Sequence, residues 1–146
     1  AVAFCDALRL LRPEIVFGAD LIAGFPTETD EMFATTLKHV ADCGLTYLHV
    51  FPFSARERTP AARMPQLAGN IVKERAARLR AVGAEALAQH LASLTGREIE
   101  LLVEQDLIAR SPTYAPVKLA RAQASGSLVR ALVTHADARF AYAEAA

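Results

Sequence analysis

Hydrophobic residues in the first third of the chain alternate between helical spacing and continuous runs. Residues 1–11 place apolar side chains on one helical face, and Pro13 follows them, which predicts a short first helix. Residues 15–25 and 47–53 are apolar, rich in β-forming residues and followed or closed by proline and aromatic residues, as is typical of buried parallel strands. A helical pattern connects these two runs. The order helix, strand, helix, strand predicts a βαβ unit that belongs to an α/β sheet or barrel.

The connecting helix has signals at both of its ends. Thr27 and Thr29 are candidate N-cap residues, and the acidic pair Asp30-Glu31 suits the positive end of the helix dipole. Gly44 is a suitable stop signal. We therefore expect this helix to begin near Asp30.

The remainder of the chain predicts a linker, one long helix and a small β-barrel. Residues 55–70 contain prolines and a glycine and predict an irregular linker. Asn70 is placed to cap a helix over residues 71–95, where apolar residues recur at helical spacing, and Gly96 supplies the stop. After Gly96 the apolar period changes to two, which predicts a small antiparallel β-barrel over residues 96–146. The segments with strand character are 98–104, 114–119, 128–134 and 139–142.

Charge follows the same three-part division of the chain. Lysine plus arginine and aspartate plus glutamate both total 16, so the net charge excludes no partner. Acidic residues nevertheless outnumber basic ones in residues 1–54, basic residues outnumber acidic ones in 55–95, and the two are equal in 96–146. The three predicted parts are thus an acidic α/β unit, a basic linker with a long helix, and a neutral barrel.

Composition favours a cytoplasmic protein with reduced cysteines. Hydrophobic residues make up 53% of the chain, yet no apolar run approaches the length of a membrane span and no signal peptide begins it. Cys5 and Cys43 are far apart in the sequence, so we expect buried, reduced thiols rather than a disulfide or metal ligands. Because Ala1 already lies in a helical pattern, we expect the chain to begin inside a larger protein.

The ends of the two predicted strands carry the strongest candidates for ligand binding. Ligands of parallel α/β sheets and barrels lie at the C-terminal ends of the strands. A glycine there lets the backbone approach a ligand, the start of a helix favours an anion, and aromatic rings suit a flat group such as adenine. A tight turn and ordinary core packing explain the same residues without a ligand. The candidate cofactor-binding residues are Gly24, Phe25 and Pro26 after the first strand, and Phe51, Pro52 and Phe53 at the end of the second.

Basic residues concentrate in the linker and in the first half of the long helix. Arginine and lysine at this density suit phosphate binding, although a solvated helix face explains the run equally well. Few aromatic residues interleave it, so base stacking is not indicated there. We select Arg75 and Arg78 as candidate RNA-binding residues. The full run is Arg56, Arg58, Arg63, Lys73, Arg75, Arg78 and Arg80. The four histidines are scattered and form no zinc motif.

Three motifs taken together resemble the MiaB-like family of radical S-adenosylmethionine methylthiotransferases. Residues 19–29 read Ala-Asp-Leu-Ile-Ala-Gly-Phe-Pro-Thr-Glu-Thr, residues 49–54 read His-Val-Phe-Pro-Phe-Ser, and residues 58–62 read Arg-Thr-Pro-Ala-Ala. Their order and spacing are similar to the family over nearly the whole chain, and most similar to its MtaB branch. The family's loop more often reads Gly-Phe-Pro-Gly-Glu-Thr, so Thr27 stands in place of a glycine. The branch usually has tyrosine where Phe53 stands.

The resemblance implies an architecture, cofactors and a partner. Residues 1–54 would be the C-terminal part of a radical-SAM (β/α) barrel, and residues 96–146 a TRAM-like RNA-binding barrel. By resemblance, the Gly24 turn helps to hold S-adenosylmethionine, and the Phe51 segment lines its adenine. The family's [4Fe-4S] clusters use cysteines that this chain lacks, so we expect no catalytic residue and no cofactor bound to this chain alone. The implied reaction adds a methylthio group to a threonylcarbamoyl-modified adenosine beside the tRNA anticodon.

Alternative functions remain open on the sequence. One is a sister methylthiotransferase that acts on isopentenyladenosine in tRNA or on a ribosomal protein. Another, of a different class, is a stand-alone RNA-binding module without chemistry. If residues 1–54 are part of a larger barrel, strands missing from this chain leave apolar strand edges uncovered, which predicts that the chain self-associates.

Overall fold

A computed structural model describes residues 1–145 of the chain. In these residues the helices and strands follow one another in the order α1 (Val2–Leu11), β1 (Phe17–Ala23), α2 (Asp30–Asp42), β2 (Leu45–Pro52), α3 (Gly69–Ser93), β3 (Glu98–Gln105), β4 (Ile108–Arg110), β5 (Pro116–Leu119), β6 (Leu128–Ala136) and β7 (Ala141–Ala145). A single 3-10 turn at Ala61–Arg63 interrupts the irregular linker. The chain divides into two compact units, residues 1–83 and the part from Ala84 onward.

The first unit contains the predicted parallel strand pair. β1 and β2 pair in parallel, with Ile22 opposite Phe51 and Ala23 opposite Pro52, and α2 forms the crossover between them. This confirms that the two candidate ligand-binding segments lie at the same end of neighbouring strands. One face of the strand pair packs against helices, because alternate strand residues point to that side. The buried core of this face consists of Ala23, Phe33, Val40, Val50, Ala76 and Leu79.

The helix α2 begins where its sequence signals place it. Thr29 is the N-cap, and its hydroxyl accepts a hydrogen bond from the Met32 amide at 3.2 Å. Thr27, the other candidate, lies outside the helix with a φ of 72°. Gly44 follows the helix with a φ of 57°, as a stop residue often does.

The long helix α3 begins two residues earlier than predicted. The carbonyl of Ala68 accepts the amides of Ile71 and Val72, so Asn70 lies inside the first turn, and its prediction as the cap is wrong. The helix ends at Ser93, and Gly96 follows with a φ of 80°. None of the helices within residues 1–145 combines the length and the apolar character needed to cross a membrane.

The second unit is a closed five-stranded β-barrel with the strand order β3-β4-β5-β7-β6. The prediction of a barrel is confirmed, but its description as antiparallel is incomplete, because β5 and β7 pair in parallel. The strand pattern also missed β4 and started β5 too early, since Tyr114 adopts a turn conformation with a φ of 66°. Alternating residues of the strands fill the interior together with Leu91 of α3 and Leu94, which follows the helix. The fully buried members are Leu91, Leu101, Val103, Ala109, Ala115, Val117, Ala131, Val133 and Ala141.

Candidate cofactor-binding site

A tight turn connects β1 to α2 and has a defined type. The Glu28 amide donates to the Phe25 carbonyl at 2.9 Å, which closes a four-residue turn with Pro26 second and Thr27 third. Proline in the second position and a positive φ in the third are the features of a type II turn. Glycine normally occupies that third position because it adopts positive φ without steric cost. The departure at Thr27 from the family's loop therefore falls on a strained residue.

The side chain of Glu28 fixes this turn from inside. Its Oε2 accepts the Gly24 amide at 3.0 Å and a guanidinium proton of Arg75 at 2.7 Å. Arg75 also donates to the Glu28 carbonyl at 2.9 Å and to Asp30 Oδ1 at 2.6 Å. The Arg75 side chain is only 4% exposed and that of Glu28 only 12%. Hydrogen bonds between charged groups are strong in such surroundings, so the turn is tied to α3 at a defined geometry.

Gly24 is required by helix packing. Its φ is 76°, and a Cβ atom added there would lie 2.8 and 2.9 Å from the two γ-carbons of Val72 on α3. The side chain of Val72 fills the space that the missing Cβ leaves free. The predicted role of Gly24 in cofactor binding stays a prediction.

The N-terminus of α2 is crowded with the protein's own carboxylates. Asp30 and Glu31 occupy the first turn, and Glu28 precedes them. The backbone and the Thr29 hydroxyl donate to Glu31 and lower the pKa of that carboxyl. From the sequence, this helix start was expected to favour an anionic ligand. Glu28 and Asp30 share the single guanidinium of Arg75, so the net charge of these groups stays negative and disfavours a further anion.

Two of the predicted aromatic residues form a pair at the strand ends. The Phe53 amide donates to the Ala23 carbonyl at 2.8 Å, which carries the strand pairing one residue beyond β2. The rings of Phe25 and Phe53 meet edge to face, with centroids 5.3 Å apart. Phe25 remains 44% exposed, whereas Pro26 is fully buried. Of this turn, Phe25 therefore offers an apolar surface to a ligand and Pro26 does not.

The other predicted aromatic residue lines the larger of two cavities beside the strand ends. This cavity has a volume of about 660 Å³, a size usual for small-molecule sites. Phe51, which is 52% exposed, contributes to its wall. The lining residues are Asp20, Ile22, Phe51, Pro52, Phe53, Ser54, Arg56, Thr59 and Ala61. Phe51, Pro52 and Phe53, the three residues predicted to line adenine, therefore lie together in one cavity.

Sequence reasoning missed the polar part of this cavity. Asp20 is exposed on the face of β1 that turns away from the helices. It lies opposite His49 in the strand pairing, and His49 is also exposed. The period-two pattern of β1 was the available signal, since Asp20 and Ile22 share a face.

A smaller cavity of about 290 Å³ lies nearby. It shares Pro52 and Phe53 with the larger one and adds Gly24 and Lys73 to its lining. The predicted residues therefore divide between two cavities, and Phe25 and Pro26 are not among the described lining residues of either.

Comparison with known proteins decides the family. No family model matches the chain. The threonylcarbamoyladenosine tRNA methylthiotransferase MtaB of Rickettsia prowazekii (strain Madrid E) is 51% identical over 130 residues, which are 89% of this chain and 31% of that relative. A tRNA-2-methylthio-N(6)-dimethylallyladenosine synthase of Cereibacter sphaeroides is 32% identical over 136 residues, 88% of this chain and 31% of that protein. The MtaB protein of Aquifex aeolicus is 32% identical over 123 residues, covering 84% and 30%. The chain belongs to the MiaB-like methylthiotransferase family. It spans about a third of the length of the curated relatives that it matches.

Within this family, the chain is most like the MtaB branch among the relatives compared. The identity of 51% to the Rickettsia MtaB protein exceeds the 32% to the dimethylallyladenosine synthase over a similar share of the chain. The comparison therefore supports the branch that the strand-end motifs resemble, even though Thr27 and Phe53 depart from its usual pattern.

The two basic residues selected for RNA binding lie in different surroundings in this methylthiotransferase segment. Arg78 is exposed, with a 3.2 Å ion pair to Glu74. Arg75 is buried and donates to Glu28 and Asp30, as described above. The RNA-binding role of both residues stays a prediction, but only Arg78 presents its guanidinium to the surface in this structure.

The cysteines provide no cluster site in the described part of the chain. Cys5 and Cys43 are both buried and free, which confirms the prediction of reduced thiols. Burial and the neighbouring Cys5 raise the pKa of the Cys43 thiol. Among residues 1–145 there is no group of three or more side chains suited to hold a metal ion. The residues described here therefore do not fit an iron–sulfur cluster, and we assign them no chemistry at one.

Proposed function

We propose that this chain is a segment of a tRNA methylthiotransferase of the MtaB type. It would line part of the S-adenosylmethionine site and contact the RNA. The observation that carries the proposal is the 51% identity to the Rickettsia MtaB protein over 89% of the chain. The proposed reaction adds a methylthio group to a threonylcarbamoyl-modified adenosine in tRNA. Because tRNA is the proposed substrate, we also propose that the protein works in the cytoplasm. Residues 1–54 would then belong to a radical-SAM barrel and residues 96–146 to a TRAM-like domain.

The larger cavity supports a role in holding S-adenosylmethionine. Its volume of about 660 Å³ is adequate for an adenosine group, and Phe51 and Phe53 offer apolar rings to a base. The carboxylate of Asp20 is an acceptor suited to hydroxyl or ammonium protons, and Arg56 is a donor suited to a carboxylate. When bound, the cofactor would supply the radical and the methyl group. The residues described here would hold it and exclude water from its adenine.

Nucleoside analysis of tRNA tests the proposed reaction. Deletion of the gene that encodes this chain should remove the methylthio group from threonylcarbamoyladenosine and leave dimethylallyladenosine unchanged, as measured by mass spectrometry of digested tRNA. Loss of the methylthio group from the dimethylallyl nucleoside instead would favour the sister branch. If neither nucleoside changes, tRNA methylthiolation is the wrong function.

A matched pair of phenylalanine variants tests the cofactor wall. In the complete gene product, Phe51→Ala should weaken S-adenosylmethionine binding, whereas Phe4→Ala should not, although Phe4 is 67% exposed and the substitution is the same. Equilibrium dialysis with labelled cofactor measures both. Equal affinities for the two variants would remove Phe51 from the site.

A further inference from the structure

Charge on the outer surface of the barrel differs from strand to strand, although the barrel sequence is neutral. The exposed acids of β3 have basic neighbours, since Glu100 lies opposite Arg130 of β6 and Glu104 pairs with Arg110 at 3.1 Å. Lys118 of β5 is partly exposed, and Arg139 is exposed in the turn between β6 and β7. These two cations can attract the phosphates of an RNA to the side of β5 and β7.

Aromatic rings accompany the basic residues on that side. Lys118, Tyr142 and His135 stand opposite one another on the adjacent strands β5, β7 and β6. The rings of His135 and Tyr142 are stacked, with centroids 4.4 Å apart and planes 3° from parallel. The ammonium of Lys118 lies 4.2 Å from the ring centroid of Phe140 and 5.8 Å from that of Tyr142. We call these four residues, Lys118, His135, Phe140 and Tyr142, the aromatic platform.

A single carboxylate holds the platform in place. Asp137 accepts the Tyr142 hydroxyl at 2.8 Å and the amides of Arg139 and Phe140 at 2.7 and 2.8 Å. These donors lower the pKa of Asp137, and the bond to Asp137 raises the pKa of Tyr142. The carboxylate therefore fixes both the Tyr142 ring and the turn that carries Phe140. A surface whose rings are already ordered loses little entropy when a ligand binds.

We propose that the aromatic platform stacks one unpaired base of RNA, with Lys118 and Arg139 beside its phosphate. This rests on the proposed function only for the identity of the RNA as tRNA. His135 is exposed and already stacks on Tyr142, so a third flat ring continues the same column. The ammonium of Lys118 already lies over the rings of Phe140 and Tyr142, so it repels a second cation that could otherwise bind to these rings. A flat neutral base that carries a phosphate matches both the rings and the charge.

Fluorescence of 2-aminopurine in a short single-stranded RNA tests this proposal. Titration with the 146-residue chain should quench the fluorophore, because stacking on an aromatic ring quenches it. Tyr142→Leu and His135→Ala should each weaken binding by roughly tenfold, a typical loss for one stacked aromatic residue. Lys118→Gln should also reduce the slope of log affinity against log salt by about one.

Control variants separate stacking from folding and from general RNA binding. Tyr142→Phe keeps the ring while removing the bond to Asp137, so it should retain the quenching if the chain folds. Tyr114→Leu changes another tyrosine of the barrel that is 70% exposed and has Arg110 5.4 Å from its ring centroid, and should leave the affinity unchanged. Quenching that survives both Tyr142→Leu and His135→Ala, or that is lost equally in Tyr114→Leu, would overturn the proposal. Absence of RNA binding by the folded chain would overturn it as well.

The outcome is independent of the tRNA nucleoside analysis. Methylthiolated tRNA combined with no stacking at the platform would remove this proposal and leave the proposed function standing. Stacking at the platform combined with unaltered tRNA nucleosides would remove the proposed function and leave this proposal standing.

Discussion

The contrast between Arg75 and Arg78 gives the sharpest test of how this segment works. The two arginines stand three residues apart on α3, and both lie over the ring of Phe33, at 5.3 and 4.9 Å from its centroid. Only Arg75 is buried. We expect Arg75→Met to destabilise the first unit strongly and Arg78→Met to do so weakly, while RNA affinity should depend on Arg78 more than on Arg75.

The loss of folding stability in each variant depends on the contacts that remain without a partner when the arginine is replaced. Without Arg75, the carboxylate of Glu28 stays 12% exposed with no cationic partner, and removal of one partner of a buried ion pair costs about 3–5 kcal/mol. Asp30 adds little because its side chain is 93% exposed. The exposed pair between Arg78 and Glu74 is worth about 0.3–0.5 kcal/mol, and the Phe33 contact about 0.5–1 kcal/mol. Both variants lose a contact with Phe33, so that contribution largely cancels and the two should differ by at least about 2 kcal/mol.

Thermal unfolding followed by far-UV circular dichroism measures this difference. One kcal/mol shifts the midpoint of a 60–100-residue unit by about 4–8 °C, so Arg75→Met should melt at least about 8 °C below Arg78→Met. The double variant Glu28→Gln with Arg75→Met should regain part of the loss, because no buried charge is left unpaired. Equal midpoints for the two single variants would refute the structural role of Arg75. Filter binding of tRNA then shows whether Arg78→Glu alone weakens binding and flattens its salt dependence.

Three further predictions concern other parts of the chain. Thr27→Gly should stabilise the first unit by about 0.5–1 kcal/mol, because the relief of left-handed strain exceeds the entropy that glycine adds to the unfolded state, and the melting midpoint measures it; a lower midpoint would contradict the strain. Burial, and to a lesser degree Arg97, lowers the pKa of His90 in the folded state below the ordinary histidine pKa of 6.5. Around and below pH 6.5 the unfolded state therefore binds more protons than the folded state. Stability should therefore fall as pH drops from 7 to 5.5, and His90→Gln should flatten this dependence in melting curves. The exposed strand face that carries Ile22 should make the chain self-associate, and Ile22→Glu should reduce the mass seen by light scattering; a monomer at high concentration without the substitution would count against this.

Much of the first unit could be predicted because its signals are local. Continuous apolar runs identified β1 and β2, and Thr29 with the acids after it identified the start of α2. The parallel pairing then followed from the helix between the strands, since such a crossover returns the chain in the same direction. The barrel was partly predictable, because period two extends over β3 but not over β4, which has only three residues.

The missed features depend on contacts between distant residues. Arg75 belongs to a run of basic residues that looks uniformly solvated, and its partner Glu28 is 47 residues away in the sequence. The parallel pairing of β5 with β7 likewise joins strands that are separated by β6. No local pattern distinguishes such a buried arginine from its exposed neighbours, or a parallel barrel pairing from an antiparallel one.

The turn after β1 keeps its geometry although Thr27 stands where the family more often has glycine. Thr27 occupies a position that favours glycine, yet its φ of 72° keeps the type II form. Strain of this kind persists only where the surroundings determine the backbone more strongly than the residue itself. Here the surroundings are the Gly24 amide bound by Glu28, Arg75 bound to the same carboxylate, and Val72 packed against the turn. The same contacts hold Phe25 against Phe53 beside the cavities. If the cavities hold S-adenosylmethionine as proposed, loss of Arg75 should weaken its binding through the position of the turn, even though Arg75 is not a lining residue of either cavity.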